Sequence, residues 1–167
     1  MVTCDVFEAE LRARDQSPQV VEYLLYSDLP AGTQVVLSCQ RTFYDMAGKL
    51  SIWPGWGDTL IIDPSIYGDF NGIRGTIDVG ESDAEAFELF KDINRSCGRG
   101  IRSRVSDELT IIFTVGARQR LRIFGKNNCN LDGQMVHQHG GINIVEIECK
   151  IVVPMQDEFQ PIGSDGE

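Results

Sequence analysis

A chain of 167 residues is long enough for one domain with its own core, and its 42% apolar and 24% charged residues are typical of a folded protein. Its net charge of −10 argues against nucleic acid as a partner, and it lacks the run of about 18 apolar residues that a membrane span requires. We expect one domain over 1–155, followed by an acidic, flexible tail over 156–167.

The charge is unevenly distributed along the chain. Residues 91–126 contain nine basic and three acidic residues, whereas the rest of the chain contains six basic and 22 acidic residues. Such a protein is expected to repel anionic surfaces in general, while its basic region can still bind an anion locally.

Alternation of apolar and polar residues predicts the strands of the first half of the chain. Val35, Leu37 and Cys39, for example, share one parity, and side chains two residues apart on a strand lie on the same face. On this pattern we predict strands over 7–12, 20–26, 33–43, 50–53, 59–62 and 73–79.

One helix is predicted over 82–96. Ser82 and Glu85 have the spacing of a capping box, in which two side chains satisfy free backbone N–H groups at a helix start. Apolar residues, including Phe90, then recur at helical spacing, and Gly98 is expected to end the helix. We expect the helix to cover one end or edge of the β-structure.

The second half of the chain is again predicted to be β-structure. Residues 109–115 form a strong strand candidate, and Gly116 is expected to turn it into a hairpin with a strand over 120–124. The last strand is predicted over 142–153, with a β-bulge near Ile144 because the apolar parity changes there.

Many short strands with frequent turns and one helix are typical of a mainly β protein. We predict an antiparallel two-sheet β-sandwich of the immunoglobulin or C2-like kind, with the helix near 82–96. An open barrel is the alternative.

The five cysteines are odd in number and contain no CxxC pair, so we predict reduced thiols and a cytoplasmic or host-cytoplasmic location. A signal peptide removed before this chain begins would instead indicate an extracytoplasmic location. Cys39 and Cys149 lie at inward positions, and they could form a disulfide if their strands faced each other across a sandwich.

Aromatic residues cluster around a stretch that is rich in Gly and Pro. We predict a partner-binding surface formed by Trp53, Trp56, Tyr67, Tyr44 and Phe70. Aromatic side chains are enriched at protein-binding hot spots, and flat exposed rings can also stack on sugars. The alternative is that the rings fill gaps in the core, because aromatic side chains bury large areas.

His137 and His139 form a candidate metal site. Alternate residues of an extended segment share a face, so both imidazoles could bind one metal ion, with Cys129 or Asp132 as a third ligand. The alternative is an exposed polar loop, because two glycines follow the pair.

Arg118, Arg120 and Arg122 form a candidate anion-binding site within the basic region. The alternative is that these arginines alternate with core residues on the exposed face of a strand.

Known catalytic and nucleotide-binding motifs are absent from the sequence, and no cofactor is predicted. The leading hypothesis is therefore a non-enzymatic module that binds another protein. A viral or mobile-element protein that binds a host protein is one form of it. A carbohydrate-binding module and a metal-dependent enzyme are the alternatives.

Overall fold

The computed structural model describes residues 1–53, 55–97 and 104–160, without the side chains of 65–67 and 93–97. Strands account for 54% of the structure and helices for 16%, with one α-helix among the described residues. In chain order the elements are β1 (Val2–Thr3), β2 (Phe7–Arg14), β3 (Ser17–Ser27), β4 (Gln34–Tyr44), β5 (Leu50–Trp53), β6 (Gly57–Ile61), β7 (Asp63–Tyr67), β8 (Phe70–Asp78), α1 (Val79–Cys97), β9 (Glu108–Val115), β10 (Leu131–Asp132), β11 (Val136–His139) and β12 (Ile142–Val152).

The long strands form two antiparallel sheets. Sheet I has the order β2-β3-β8-β7, and sheet II has the order β11-β12-β9-β4-β5, with β6 also paired to β4. Two short strands, β1 and β10, add a parallel pair. The predicted mainly β, antiparallel architecture is confirmed. The immunoglobulin or C2-like sandwich is not confirmed, because sheet II curls into a half-barrel.

The main core contains the inward side chains of both sheets. Tyr23 of sheet I lies against Phe113 of sheet II, with 5.6 Å between the ring centroids. Leu25 and Ile111 are fully buried in the same cluster, and Ile147 packs against it at partial exposure. The alternating parity of the strands therefore directs one set of apolar side chains from each sheet into the shared core, as the sequence predicts.

The segment 120–124 is not a strand. Residues Arg122–Phe124 form a short 3-10 helix, and a second one follows at Lys126–Asn128. The reason is that β9 already pairs with β12 on one side and with β4 on the other, so neither edge of β9 is open to a hairpin partner.

The predicted bulge near Ile144 is also absent. The register of β12 against β9 and β11 is continuous through this region. Ile144 pairs with His137 and Ile142 pairs with His139, so these two isoleucines lie on the outer face of sheet II and keep the strand parity unchanged.

Cys39 and Cys149 are free thiols in the same sheet. Both lie opposite Ile111, one on each side of β9. Two strand spacings separate them by roughly 10 Å, which exceeds the span of a disulfide. The two cysteines therefore cannot form the bridge that a facing arrangement would allow.

The helix α1 begins earlier than predicted. Asp78 precedes it, and its carboxylate accepts a hydrogen bond from the backbone N–H of Glu81 at 3.0 Å, as an N-cap residue does. Ser82 lies inside the helix and does not cap it. The predicted stop at Gly98 lies outside the described residues.

A second, smaller core lies between α1 and the end of sheet II. Trp53 stacks on Phe90 of α1 at 4.9 Å, and Phe43 meets both rings edge-on. Phe159 packs on Phe87 of α1 at 6.2 Å, so part of the predicted tail contacts the helix. Within the described residues we find no helix with the length and apolar character that a membrane-spanning segment requires.

Candidate functional site

The structure divides the predicted aromatic surface into several different environments. Trp53 is only 1% exposed and belongs to the second core, so it is not available to a partner or a sugar. Its inward position follows from its register opposite Arg41, because the odd-numbered residues of β4 face the interior. The alternative that this ring fills the core is therefore correct for Trp53.

Trp56 and Phe70 are half-buried. Trp56 packs against the main core, and its carbonyl accepts a hydrogen bond from the N–H of Cys39 at 2.8 Å. Gly55 makes this close approach feasible, because a Cβ there would overlap the carbonyl of Cys39. Phe70 contacts Tyr26 in sheet I at 5.8 Å between ring centroids.

Tyr67 and Tyr44 are the remaining members of the predicted surface. Tyr67 pairs with Phe70 in sheet I, and its side chain lies outside the description. Tyr44 lies in sheet II and is 51% exposed. The predicted surface is thus distributed over two sheets, and Tyr44 is its most exposed described side chain.

A contiguous apolar surface lies on the outer face of the β4–β5 hairpin. Tyr44 pairs directly with Leu50, and Ile52 is the next outward residue of β5. Leu50 is 56% exposed, Ile52 is 58% exposed, and Met46 in the connecting turn is 62% exposed. We call Tyr44, Met46, Leu50 and Ile52 the hairpin patch. Of these four residues, the predicted surface contains only Tyr44. Strand alternation places Leu50 and Ile52 outward once Trp53 faces inward, so these two could have been found from the sequence.

The turn that presents the hairpin patch is firmly held. The Asp45 carboxylate accepts hydrogen bonds from the backbone N–H groups of Ala47 and Lys49, both at 2.9 Å. The backbone of Asp45 pairs with that of Lys49, and Gly48 supplies a left-handed conformation at φ +80°. The patch is therefore fixed in position before any partner binds.

Beneath the same hairpin lies a buried ion pair. The Arg41 guanidinium donates two hydrogen bonds to the Asp83 carboxylate, at 3.0 and 2.9 Å, and a third to the carbonyl of Ser106. Burial raises the pKa of the Asp83 carboxyl above its usual value, and the hydrogen bonds and charge of Arg41 oppose that rise. This pair ties β4 to α1 and supports the hairpin from inside.

The two histidines lie on one face of β11. His137 and His139 are exposed on β11, opposite Ile144 and Ile142 on the outer face of sheet II. The described residues contain no group of three or more His, Cys, Asp and Glu side chains that could hold a metal ion. The structure therefore does not bring Cys129 or Asp132 to the histidine pair as a third ligand.

The three arginines are exposed, but only two of them share a site. Arg118 and Arg120 line a cleft of about 440 Å³ on the outer face of sheet II, together with Gln34, Val36, Thr59 and residues 116, 117 and 119. Arg122 lies outside this lining, on the first 3-10 helix. These arginines occupy a loop, so the alternative that they lie on an exposed strand face is wrong.

The loop that carries the arginines is tied to the start of β4. The Gln119 side chain accepts a hydrogen bond from the Gln34 N–H at 2.8 Å and donates one to the Gln34 carbonyl at 2.9 Å. It thus continues the hydrogen-bonding of β4 beyond the end of β9.

Comparison with protein families, curated proteins and solved structures finds no match to this chain, so its function has to be inferred from these surfaces.

Proposed function

We propose that this protein is a non-enzymatic module that binds another protein through the hairpin patch. The observation that carries the proposal is that Tyr44, Met46, Leu50 and Ile52 are each more than half exposed and lie together on one hydrogen-bonded hairpin. Contiguous exposed apolar side chains on a folded protein mark interaction surfaces, whereas scattered ones do not.

The preferred partner is a different, basic protein rather than a second copy of this chain. Each copy has a net charge of −10, so two copies repel each other, whereas a basic protein is attracted. An apolar centre with complementary charge around it is the usual organisation of a specific interface. A host protein bound by a viral or mobile-element protein is compatible with this chemistry.

A cytoplasmic location and a two-sheet sandwich are also part of the proposal. The four described free cysteines fit a reducing compartment. The contact of Tyr23 with Phe113 fits two sheets that share one core.

The test compares a patch variant with a matched control. Leu50→Ser combined with Ile52→Ser removes two members of the patch, whereas Val152→Ser removes an apolar residue of β12 that is at least as exposed. Proteins from the natural cell extract that bind wild type and Val152→Ser, but not the patch variant, are identified and purified. In titration, the patch variant should weaken binding of the purified partner by about 30-fold or more, as loss of hot-spot residues does.

Three results would contradict the proposal. The first is a purified partner that binds the patch variant as tightly as wild type, and the second is the absence of any captured protein that depends on the patch. The third is a wild-type dimer in sedimentation analysis that the patch variant abolishes, because the patch would then join two copies of this chain.

A further inference from the structure

We propose that the cleft at Arg118 and Arg120 binds a small ligand through its phosphate group. The cleft lies at the Gln34 end of β4, whereas the hairpin patch lies at the Tyr44 end. Ten residues of strand separate the two ends by roughly 33 Å, so the two sites do not overlap. The inference is therefore independent of the protein-binding function.

The first support is the uncompensated positive charge. Residues 116–131 contain Arg118, Arg120, Arg122 and Lys126 and no acidic residue. Within the described part of the chain, none of these four side chains forms an ion pair. The lining of the cleft likewise contains two arginines and no acidic residue, so an anion bound there would offset their charge.

The second support is the rigidity of the loop. Gln119 makes two hydrogen bonds to the backbone of Gln34 and donates a third to the carbonyl of Gly116 at 3.1 Å. The buried Asn128 side chain donates to the same Gly116 carbonyl at 2.7 Å and to the carbonyl of Asn143 at 2.9 Å. Phe124, which ends the first 3-10 helix, is fully buried. The backbone that carries the two arginines is therefore fixed before a ligand binds.

The third support is the chemistry of the two guanidinium groups. Arg118 and Arg120 both line the cleft, and each guanidinium carries five N–H donors. A guanidinium matches the oxygen spacing of phosphate and can donate two parallel hydrogen bonds to it.

A phosphate group is preferred over a carboxylate because of charge. At about pH 8 a phosphate monoester carries close to two negative charges, and its attraction to two arginines is about twice that of a monoanion. The volume of about 440 Å³ is more than one phosphate ion needs, and Val36 and Ala117 provide apolar wall for the rest of a ligand. The structure thus assigns a small phosphomonoester as the ligand class.

The test is calorimetric titration of the full chain at about pH 8, where the monoester is a dianion. Phenyl phosphate is the probe, and benzoate is the carboxylate of matched size. Arg118→Gln and Arg120→Gln should each weaken phenyl phosphate binding by about tenfold or more, since each removes charge-assisted hydrogen bonds. Arg122→Gln removes the same charge from the same loop without touching the cleft, and it should change the affinity by about threefold or less.

Each alternative outcome overturns a definite part of the proposal. Absence of saturable phenyl phosphate binding, with all proteins folded by circular dichroism, shows that there is no such site. Equal weakening by the three arginine variants means that diffuse charge attracts the anion. Benzoate binding as tight as phenyl phosphate binding means a carboxylate site. Binding of a long polyanion such as heparin, without binding of phenyl phosphate, means a macromolecular surface.

Discussion

At the scale of single residues, the Arg41–Asp83 pair shows how a buried charge is accommodated. Arg41 is 1% exposed, and its guanidinium donates hydrogen bonds to one carboxylate and one backbone carbonyl. Its inward position is the consequence of strand parity, since Cys39 and Phe43 on either side of it are inward as well. A fully buried guanidinium requires a partner, and the second turn of α1 supplies it.

Removal of one member of this pair should destabilise the fold strongly. We expect Asp83→Ala to lower the free energy of unfolding by about 3–5 kcal/mol, because the Arg41 charge is left buried without compensation. The measurement is urea unfolding of wild type and variant. The double variant Arg41→Met with Asp83→Leu should recover most of the loss, since apolar side chains of similar volume can replace a buried pair. A loss below about 1 kcal/mol in Asp83→Ala would show that the pair behaves as an exposed one.

The cysteines differ in their environment, and this difference predicts their reactivity. Burial raises the pKa of the Cys4 and Cys39 thiols to about 12, and it also raises that of Cys149. Cys129 is exposed. Because the thiolate is the reactive form, we expect an aromatic disulfide reagent at about pH 8 to modify Cys129 first and the buried thiols only on unfolding.

The measurement is the number of thiols modified under native conditions. Cys97, whose side chain is not described, is replaced by Ser in all samples. Cys129→Ser should then remove the fast phase. Rapid modification of Cys4 or Cys39 in the folded protein would contradict their burial.

At the scale of elements, the alternation of apolar and polar residues predicts more than half of the strands. It does so because each of these strands has one side that faces the core and one that faces solvent. The segment 50–53 is predicted with its observed bounds, and 109–115 begins one residue late. The segment 120–124 fails although it alternates, because its pairing depends on strands far away in sequence that occupy both edges of β9. Short strands such as β11 were missed because polar residues dominate them.

The start of α1 was misplaced because two capping patterns lie close together. Asp78 and Glu81 have the same spacing as Ser82 and Glu85, and the first pair is the one used. The sequence does not distinguish them, since the choice depends on where β8 ends against β3.

This assignment of the N-cap can be tested directly. Asp78→Ala should cost about 1 kcal/mol of stability through loss of the cap. Ser82→Ala, the matched change one turn later, should alter stability by about 0.5 kcal/mol or less. Thermal unfolding of both variants gives the comparison, and a larger loss for Ser82→Ala would restore the later helix start.

The two faces of the β4–β5 hairpin explain why the candidate surface was only partly predicted. The sequence identifies aromatic residues but does not say which parity of 50–53 faces inward. The structure places Trp53 against α1 and Ile52 in solvent. Which of the alternating residues of 50–53 face the core depends on packing with Phe90, and Phe90 lies more than thirty residues away in sequence.

Substitution of adjacent residues of β5 should therefore change stability by very different amounts. Trp53→Ala should destabilise the protein by about 3–5 kcal/mol, because it leaves a cavity next to Phe43 and Phe90. Ile52→Ala should change stability by about 0.5 kcal/mol or less, as exposed substitutions do. Urea unfolding measures both, and equal losses would mean that the outer face is also part of a core.

At the scale of the whole molecule, β4 joins the two cores. Its residues Leu37 and Cys39 belong to the main core between the sheets, whereas Phe43 belongs to the second core under α1. The same strand carries the hairpin patch at one end and borders the arginine cleft at the other. Disruption of either core must therefore disturb a strand that supports both.

This connection predicts a single cooperative unfolding transition. The two tryptophans are separate reporters, because Trp53 lies in the second core and Trp56 packs against the main core. In a Trp56→Phe variant, fluorescence follows the second core, and in a Trp53→Phe variant it follows the main core. Both fluorescence signals should change at the same urea concentration as the far-UV circular dichroism of the same variant, as two-state unfolding requires. Loss of the Trp53 signal at lower urea, while the β-sheet signal persists, would show instead that α1 and the hairpin open as a separate unit. The support beneath the hairpin patch would then be less stable than the sheets, and partner binding would have to stabilise it.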